Sequence, residues 1–159
     1  MNKFALTAIA TAVLALSSNA WAIKGVDFPS YTLEEINNTI DKGDYAAAVP
    51  MLEEFLRFEP NDAEVHNLLG YSKRSLGELD AAMASYNKAL EINPNHMGTL
   101  SYQGELFLKL KDQASAESNL GKLKVLCPSG CEAYDVLQAA IERSKDGEFA
   151  WTGKRVKSN

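Results

Sequence analysis

Apolar and small side chains return every three or four positions along most of this chain, the spacing that lines one face of an α-helix. Val65, Leu68, Leu69 and Ser72 form one stripe, and Leu79, Ala82, Met83, Tyr86, Ala89 and Leu90 form the next. Leu76-Gly77-Glu78 interrupts the pattern between them. Asn93-Pro94-Asn95 ends the second stripe, because the residue before a proline is pushed out of the α region. The pattern therefore predicts a helix hairpin over residues 63–96.

That hairpin is one copy of a unit. Pro60, Pro94 and Pro128 are 34 residues apart, and the same step relates Ala48, Ala82 and Ala116, then Asp44, Glu78 and Asp112, then Leu52, Tyr86 and Leu120. Gly43 pairs with Gly77, and Gly70 with Gly104. Three windows follow: 29–62, 63–96 and 97–130. A fixed period of this length marks a solenoid, in which each unit buries its apolar face against its neighbours. Gly70 and Gly104 on the first helices, with Ala82 and Ala116 on the second, are small enough to let two backbones approach. Pro50 falls inside the second helix of the first window. It removes an intrahelical donor and is expected to distort the turn around Ala46.

The middle window resembles the tetratricopeptide repeat. Its Leu69, Gly70, Ala82, Tyr86, Ala89 and Pro94 stand where that family keeps Leu, Gly, Ala, an aromatic, Ala and Pro. His66 stands where Trp is frequent. The third window keeps Gly104, Phe107, Ala116 and Pro128 but has Gln103 in place of Leu, and the first has Ile36 in place of the first-helix Gly. The resemblance implies an all-α fold, a right-handed α-solenoid of three helix hairpins (29–62, 63–96, 97–130). It also implies a concave groove that takes peptides or helices from protein partners.

By the same resemblance, the second, fifth, ninth, twelfth and thirteenth residues of each repeat face that groove. They are Ser30, Leu33, Asn37, Ile40 and Asp41, then Glu64, Asn67, Tyr71, Arg74 and Ser75, then Gly98, Ser101, Glu105, Leu108 and Lys109. Asn37, Asn67, Tyr71, Arg74, Ser101 and Glu105 are the candidate partner-binding residues. Asn and Ser can bond an extended peptide backbone, and Tyr and Arg are favoured as interface anchors. The subclass that clamps C-terminal carboxylates carries a groove Lys where this chain has Leu33 and Asn67, so the resemblance does not extend to it. Tyr102-Gln103-Gly104-Glu105-Leu106-Phe107 and Cys127-Pro128-Ser129-Gly130-Cys131 resemble small exported bacterial members of the family.

Residues 131–145 read as one more helix, with Tyr134, Leu137, Ala140 and Ile141 on its apolar face and Asp135, Gln138, Glu142 and Arg143 opposite. Ser129-Gly130-Cys131-Glu132 has the form of a capping box. Such a helix covers the open apolar flank that a stack of repeats leaves at its end. The tail, 146–159, is expected to be mobile. Its Lys154, Arg155 and Lys157 are expected to be solvated, since three charges are few for a membrane-surface contact.

The other end carries an address. After the singly positive Met1-Asn2-Lys3-Phe4, an uncharged and mostly apolar run extends from Ala5 to Leu16, and the small-x-small triplet Ala20-Trp21-Ala22 follows. This is the layout of a secretory signal peptide (residues 1–22) cleaved after Ala22. The run is short against the roughly 20 residues that span a bilayer, which argues against an uncleaved anchor. The mature chain then has 137 of the 159 residues. Loss of Lys3 leaves 15 basic against 21 acidic residues, a net charge of −6. A periplasmic or secreted location fits best, and an acidic chain gains no general attraction to nucleic acid.

Export changes the reading of the two cysteines. In an oxidising compartment Cys127 and Cys131 are expected to close a disulfide tying the last helix to the array, worth roughly 2 kcal/mol in the chain-entropy model. The alternative is a metal- or thiol-handling accessory factor. The C-x-x-x-C spacing is not the C-x-x-C of thioredoxin-like enzymes. A metal would need a further ligand, for which His96 is the candidate, and Cys, Cys and His suit Cu(I). No catalytic motif is present, neither G-x-S-x-G, H-E-x-x-H nor a phosphate-cradling glycine loop. No enzyme activity, metal or cofactor is therefore expected.

Overall fold

The computed structural model describes residues 28–145, 147, 149–152, 155 and 156. The proposed signal peptide lies outside them. Seven helices follow in order: α1 (Leu33–Asp41), α2 (Tyr45–Phe58), α3 (Ala63–Ser75), α4 (Leu79–Ile92), α5 (Met97–Lys109), α6 (Gln113–Leu126) and α7 (Glu132–Lys145). Among the described residues all regular structure is helical, and no helix is long and apolar enough to cross a membrane. α3 and α5 start 34 residues apart, as do α2, α4 and α6.

The periodic polar residues have local jobs at the helix ends. Asp44, Glu78 and Asp112 are the N-caps of the three second helices, and the Asp44 and Asp112 carboxylates accept the amides of Ala47 and Ser115. A carboxylate there satisfies an otherwise orphaned donor and meets the positive end of the helix dipole. The residue before each cap turns the chain with a positive φ: +78° at Gly43, +82° at Gly77 and +64° at Lys111. The third hairpin makes with lysine a turn that favours glycine. α1 is shorter than α3 because its capping box, formed by Thr32 and Glu35, starts it late.

Pro50 lies inside α2, which continues past it as one helix. One local expectation needs correction, at the start of α7. Glu132 is the first residue of α7, so Ser129 stands three residues before that helix rather than at its N-cap. The capping box belongs to the other end of the array.

The hairpins α1/α2, α3/α4 and α5/α6 pack side by side, with α2 on α3 and α4 on α5. α7 packs on both α5 and α6. The core runs through the stack: Ile36, Leu52, Leu68, Tyr86, Leu100, Leu106, Leu123 and Leu137 are all almost wholly removed from solvent. Each such aliphatic side chain contributes about 1.5–3 kcal/mol. The two helix glycines serve this packing in different ways. A Cβ on Gly70 would stand 2.5 Å from the Tyr86 ring, and one on Gly104 would stand 2.6 Å from the Leu137 methyls. Side chains, not the partner backbone, fill the space both glycines leave. Leu137 comes from α7, which makes the capping helix a packing partner of the third repeat's first helix.

Candidate functional site

The first helices α1, α3 and α5 present one face of the array. Its floor is a buried polar and aromatic cluster built from two turns of helix. Tyr71 and Arg74 lie one turn apart on α3, and Tyr102 and Glu105 lie one turn apart on α5. Arg74 Nη1 donates to Glu105 Oε2 at 2.6 Å, with the side chains only 4 % and 0 % exposed. The guanidinium stands 5.1 Å from both tyrosine ring centres, close enough for cation–π attraction. Tyr71 packs edge-on to Tyr45 of α2 at 5.9 Å and tilted against Tyr102 at 5.0 Å.

The electrostatics follow from that burial. Desolvation opposes the charge on Arg74, but the Tyr86 hydroxyl and Glu105 carboxylate outweigh it and hold the guanidinium above its ordinary value. Burial first, then the hydrogen bond with Tyr45, pushes the Tyr71 phenol up to about 12. Burial likewise pushes Tyr86 and Tyr102 up. The tyrosines are therefore neutral at physiological pH, and Arg74 is the fixed cation. The Tyr86 and Ser101 hydroxyls are buried with no hydrogen-bond partner among the described residues.

The face is occupied, and the occupant is the tail of the same chain. Trp151 stacks over the Arg74 guanidinium at 4.4 Å. The Thr152 amide donates to Glu105 Oε1 at 3.3 Å. The Val156 amide donates to the Tyr102 hydroxyl, which donates in turn to the Val156 carbonyl at 3.3 Å, and Val156 is only 4 % exposed. Arg155 reaches across to α1, donating to Asp41 Oδ1 at 2.5 Å and to Asn37 Oδ1. Phe149 sits under the Lys109 ammonium at 5.8 Å. Positions 149, 152 and 156 thus meet Lys109, Glu105 and Tyr102 in turn, so the tail runs antiparallel to α5. Arg155, expected to be solvated, instead bonds Asp41 and Asn37. Lys154 and Lys157 lie outside the described residues.

The structure divides the six candidate residues. Asn37, Tyr71, Arg74 and Glu105 belong to the floor or touch the tail directly. Asn67 and Ser101 are 1 % and 0 % exposed. Asn67 serves the interior, accepting from the Thr99 hydroxyl at 3.0 Å. Sequence reasoning missed Tyr102, Asp41 as an arginine partner, and the tail itself. Tyr102 stood in a quoted segment but at a repeat position not assigned to the groove.

His96 does not join the cysteines. It caps α5, its Nδ1 accepting the Thr99 amide at 3.2 Å, and its Nε2 lies 3.0 Å from Glu64 Oε2. Both ring nitrogens are engaged within the α3/α5 junction. Among the described residues no three His, Cys, Asp or Glu side chains gather as a metal site. The sulfurs of Cys127 and Cys131 are at disulfide distance, with Cα atoms 5.9 Å apart.

Comparison with known proteins agrees with this architecture. Residues 63–96 match the model of the tetratricopeptide repeat family. The photosystem I assembly protein Ycf3 of Synechococcus is 37 % identical over 78 residues, 47 % of this chain and 45 % of that protein. The matched stretch thus spans less than half of that relative. Among solved structures, the TPR2B domain of yeast Sti1, in its complex with pHsp70, superposes with a TM-score of 0.65 at 21 % identity, covering 72 % of this chain and 94 % of that one. The type III secretion translocator chaperone SycD of Yersinia enterocolitica gives 0.61 at 20 % identity, covering 70 % and 89 %. At such identities the likeness is one of fold. Residues 63–96 thus carry a tetratricopeptide repeat, and the chain as a whole has the all-α helical-repeat fold of these neighbours.

Proposed function

We propose that the protein is an exported adaptor that binds a segment of a protein partner along the face of α1, α3 and α5 and performs no catalysis. One observation carries this reading: that face already holds a peptide, residues 149–152, 155 and 156 of its own chain, through stacking on Arg74 and backbone bonds to Glu105 and Tyr102. Backbone bonds to a peptide do not depend on its side chains, so the same donors and acceptors suit a segment from another protein. Export rests on the N-terminal pattern. The bond between Cys127 and Cys131 is the natural state in an oxidising compartment, and it ties α7 to α6.

The groove reading is tested by affinity capture from an envelope extract, with mass spectrometry, using the wild type and an Asn37→Ala/Asp41→Ala variant. Partners captured by the wild type are expected to be lost from the variant. Equal capture moves the interaction surface elsewhere. Export is tested by fractionation and N-terminal sequencing, with Ile23 expected as the first residue of the periplasmic or secreted form.

A further inference from the structure

We infer that the tail is a resident mimic of the partner, and that the groove selects a basic protein segment in which an arginine follows an aromatic residue by four positions. The inference rests on the groove reading above and specifies its ligand. The contacts that carry it come from two separate places on the face. On the floor, the Arg74 guanidinium offers its open side to a ring, and Trp151 takes it at 4.4 Å. The far rim, on α1, is acidic and polar: Asp41 and Asn37 together hold the Arg155 guanidinium. Between them Glu105 and Tyr102 take backbone groups of Thr152 and Val156.

The chemistry is complementary in sign. The mature chain is acidic, with a net charge of −6 when Lys3 is lost from 16 basic residues against 21 acidic ones. The tail is its basic exception, with Lys154, Arg155 and Lys157 and only Glu148 against them after Gly147. A rim that takes Nη1 and Nη2 of a planar guanidinium on two separate acceptors favours it over an ammonium, whose donors all sit on one nitrogen. A partner segment of the same chemistry must displace the tail. Its apparent affinity is reduced by the fraction of molecules in which the groove is open.

The test uses a fluorescently labelled peptide of residues 149–159 as the probe and the full chain as receptor, read by anisotropy. A tethered tail has an effective concentration on the order of 1 mM, so for an intrinsic Kd of about 100 µM it weakens the probe about tenfold. Trp151→Ala/Arg155→Ala is expected to bind the probe about tenfold more tightly than the wild type. Adding Asn37→Ala/Asp41→Ala is expected to abolish that gain, as is a probe with alanine at its arginine. Should the double variant unfold, Arg155→Ala alone, which removes the bonds to Asp41 and Asn37, is expected to show a smaller gain of about threefold. Equal probe affinity for wild type and tail variants, or no binding to a tail variant with an unchanged helical spectrum, overturns the inference.

Light scattering gives the second arm. Concentration-dependent dimers of the wild type that vanish in the tail variant would make the occupant a second copy, which also overturns it. If the probe is inert while Asn37→Ala/Asp41→Ala still loses a captured partner, the groove reading stands and only the mimicry fails.

Discussion

α1 and α5 hold equivalent places in their hairpins, yet only two of the nine residues of α1 are buried against ten of the thirteen of α5. Both are first helices, and both line the same face. α5 is packed by α4, α6 and α7 and touched by α3, and the tail takes its remaining side. α1 has α2 behind it, and the Arg155 guanidinium bonds its Asp41 and Asn37 in front. The same repeat position therefore has different energetics at the two ends. Glu105, ninth in its repeat, is a buried ion-pair partner. Asn37, ninth in its own, is a half-buried amide that a guanidinium approaches from solvent.

The largest expected effect separates these two ends. Glu105→Gln leaves the Arg74 charge buried without its carboxylate and is expected to cost about 3–5 kcal/mol, measured by urea denaturation. Asp41→Asn removes an exposed carboxylate from α1 and is expected to stay within about 0.5 kcal/mol. Similar losses for the two would mean that the burial contrast carries no energetic weight.

Packing sharpens the comparison next. Gly104→Ala forces Leu137 aside and strains the α5/α7 contact, and Gly70→Ala does the same to Tyr86. Each is expected to cost about 1–3 kcal/mol by overpacking. Gly104→Ala should also loosen the route of the tail, which leaves α7 to reach α5. Its signature is faster proteolysis after residue 145 than in Gly70→Ala, and equal rates would break the link between α7 packing and tail docking.

The third effect has the opposite sign. Lys111 turns the α5/α6 hairpin with a φ of +64° where the other two hairpins have glycine. Lys111→Gly is expected to raise stability by about 0.5–1 kcal/mol, the relief of a left-handed non-glycine residue less the added freedom of the unfolded chain. A lower melting temperature would show that the lysine side chain does something its turn does not explain.

The smallest effect concerns pH. The Thr32 amide holds the Glu35 carboxyl below its usual 4.5, and the Ser115 hydroxyl and amide hold Asp112 below its usual 3.8. Both folded values are depressed, so the stability these caps add is present above those usual values and is lost as pH falls through the lowered ones. One cap belongs to α1 and the other to α6, both solvent-exposed. The melting temperature of Glu35→Gln/Asp112→Asn is expected to fall less steeply with acid than that of the wild type. A parallel acid limb would show that these caps are not what titrates.

Much of the fold was legible because the repeat makes local signals agree with each other. Pro60, Pro94 and Pro128 follow the second helices, Asp44, Glu78 and Asp112 cap them, and Gly43 and Gly77 turn the hairpins. Each position recurs at the same place in its hairpin, although the Glu78 carboxylate makes no cap bond. Pro50 does not end α2, because a proline's local penalty can be absorbed where the rest of the helix packs well. The cap of α7 was misread because S-x-x-E fixes a spacing but not where a helix starts. The face of the array was half legible. Tyr71 and Arg74 carry residue types suited to anchoring, whereas nothing local distinguishes Tyr102 from a core tyrosine.

The sequence by itself determined the helices, their pairing and their stacking, because periodicity, caps and turns act over a few residues and the 34-residue step repeats them. What fills the groove emerges only once the array is assembled. Residues 149–156 have no strong periodicity, and their partners Glu105, Tyr102, Arg74 and Asn37 lie between 47 and 118 residues away in the chain or come together only through the stack. Contacts at such separation depend on where the whole array delivers its end, and no local pattern encodes that.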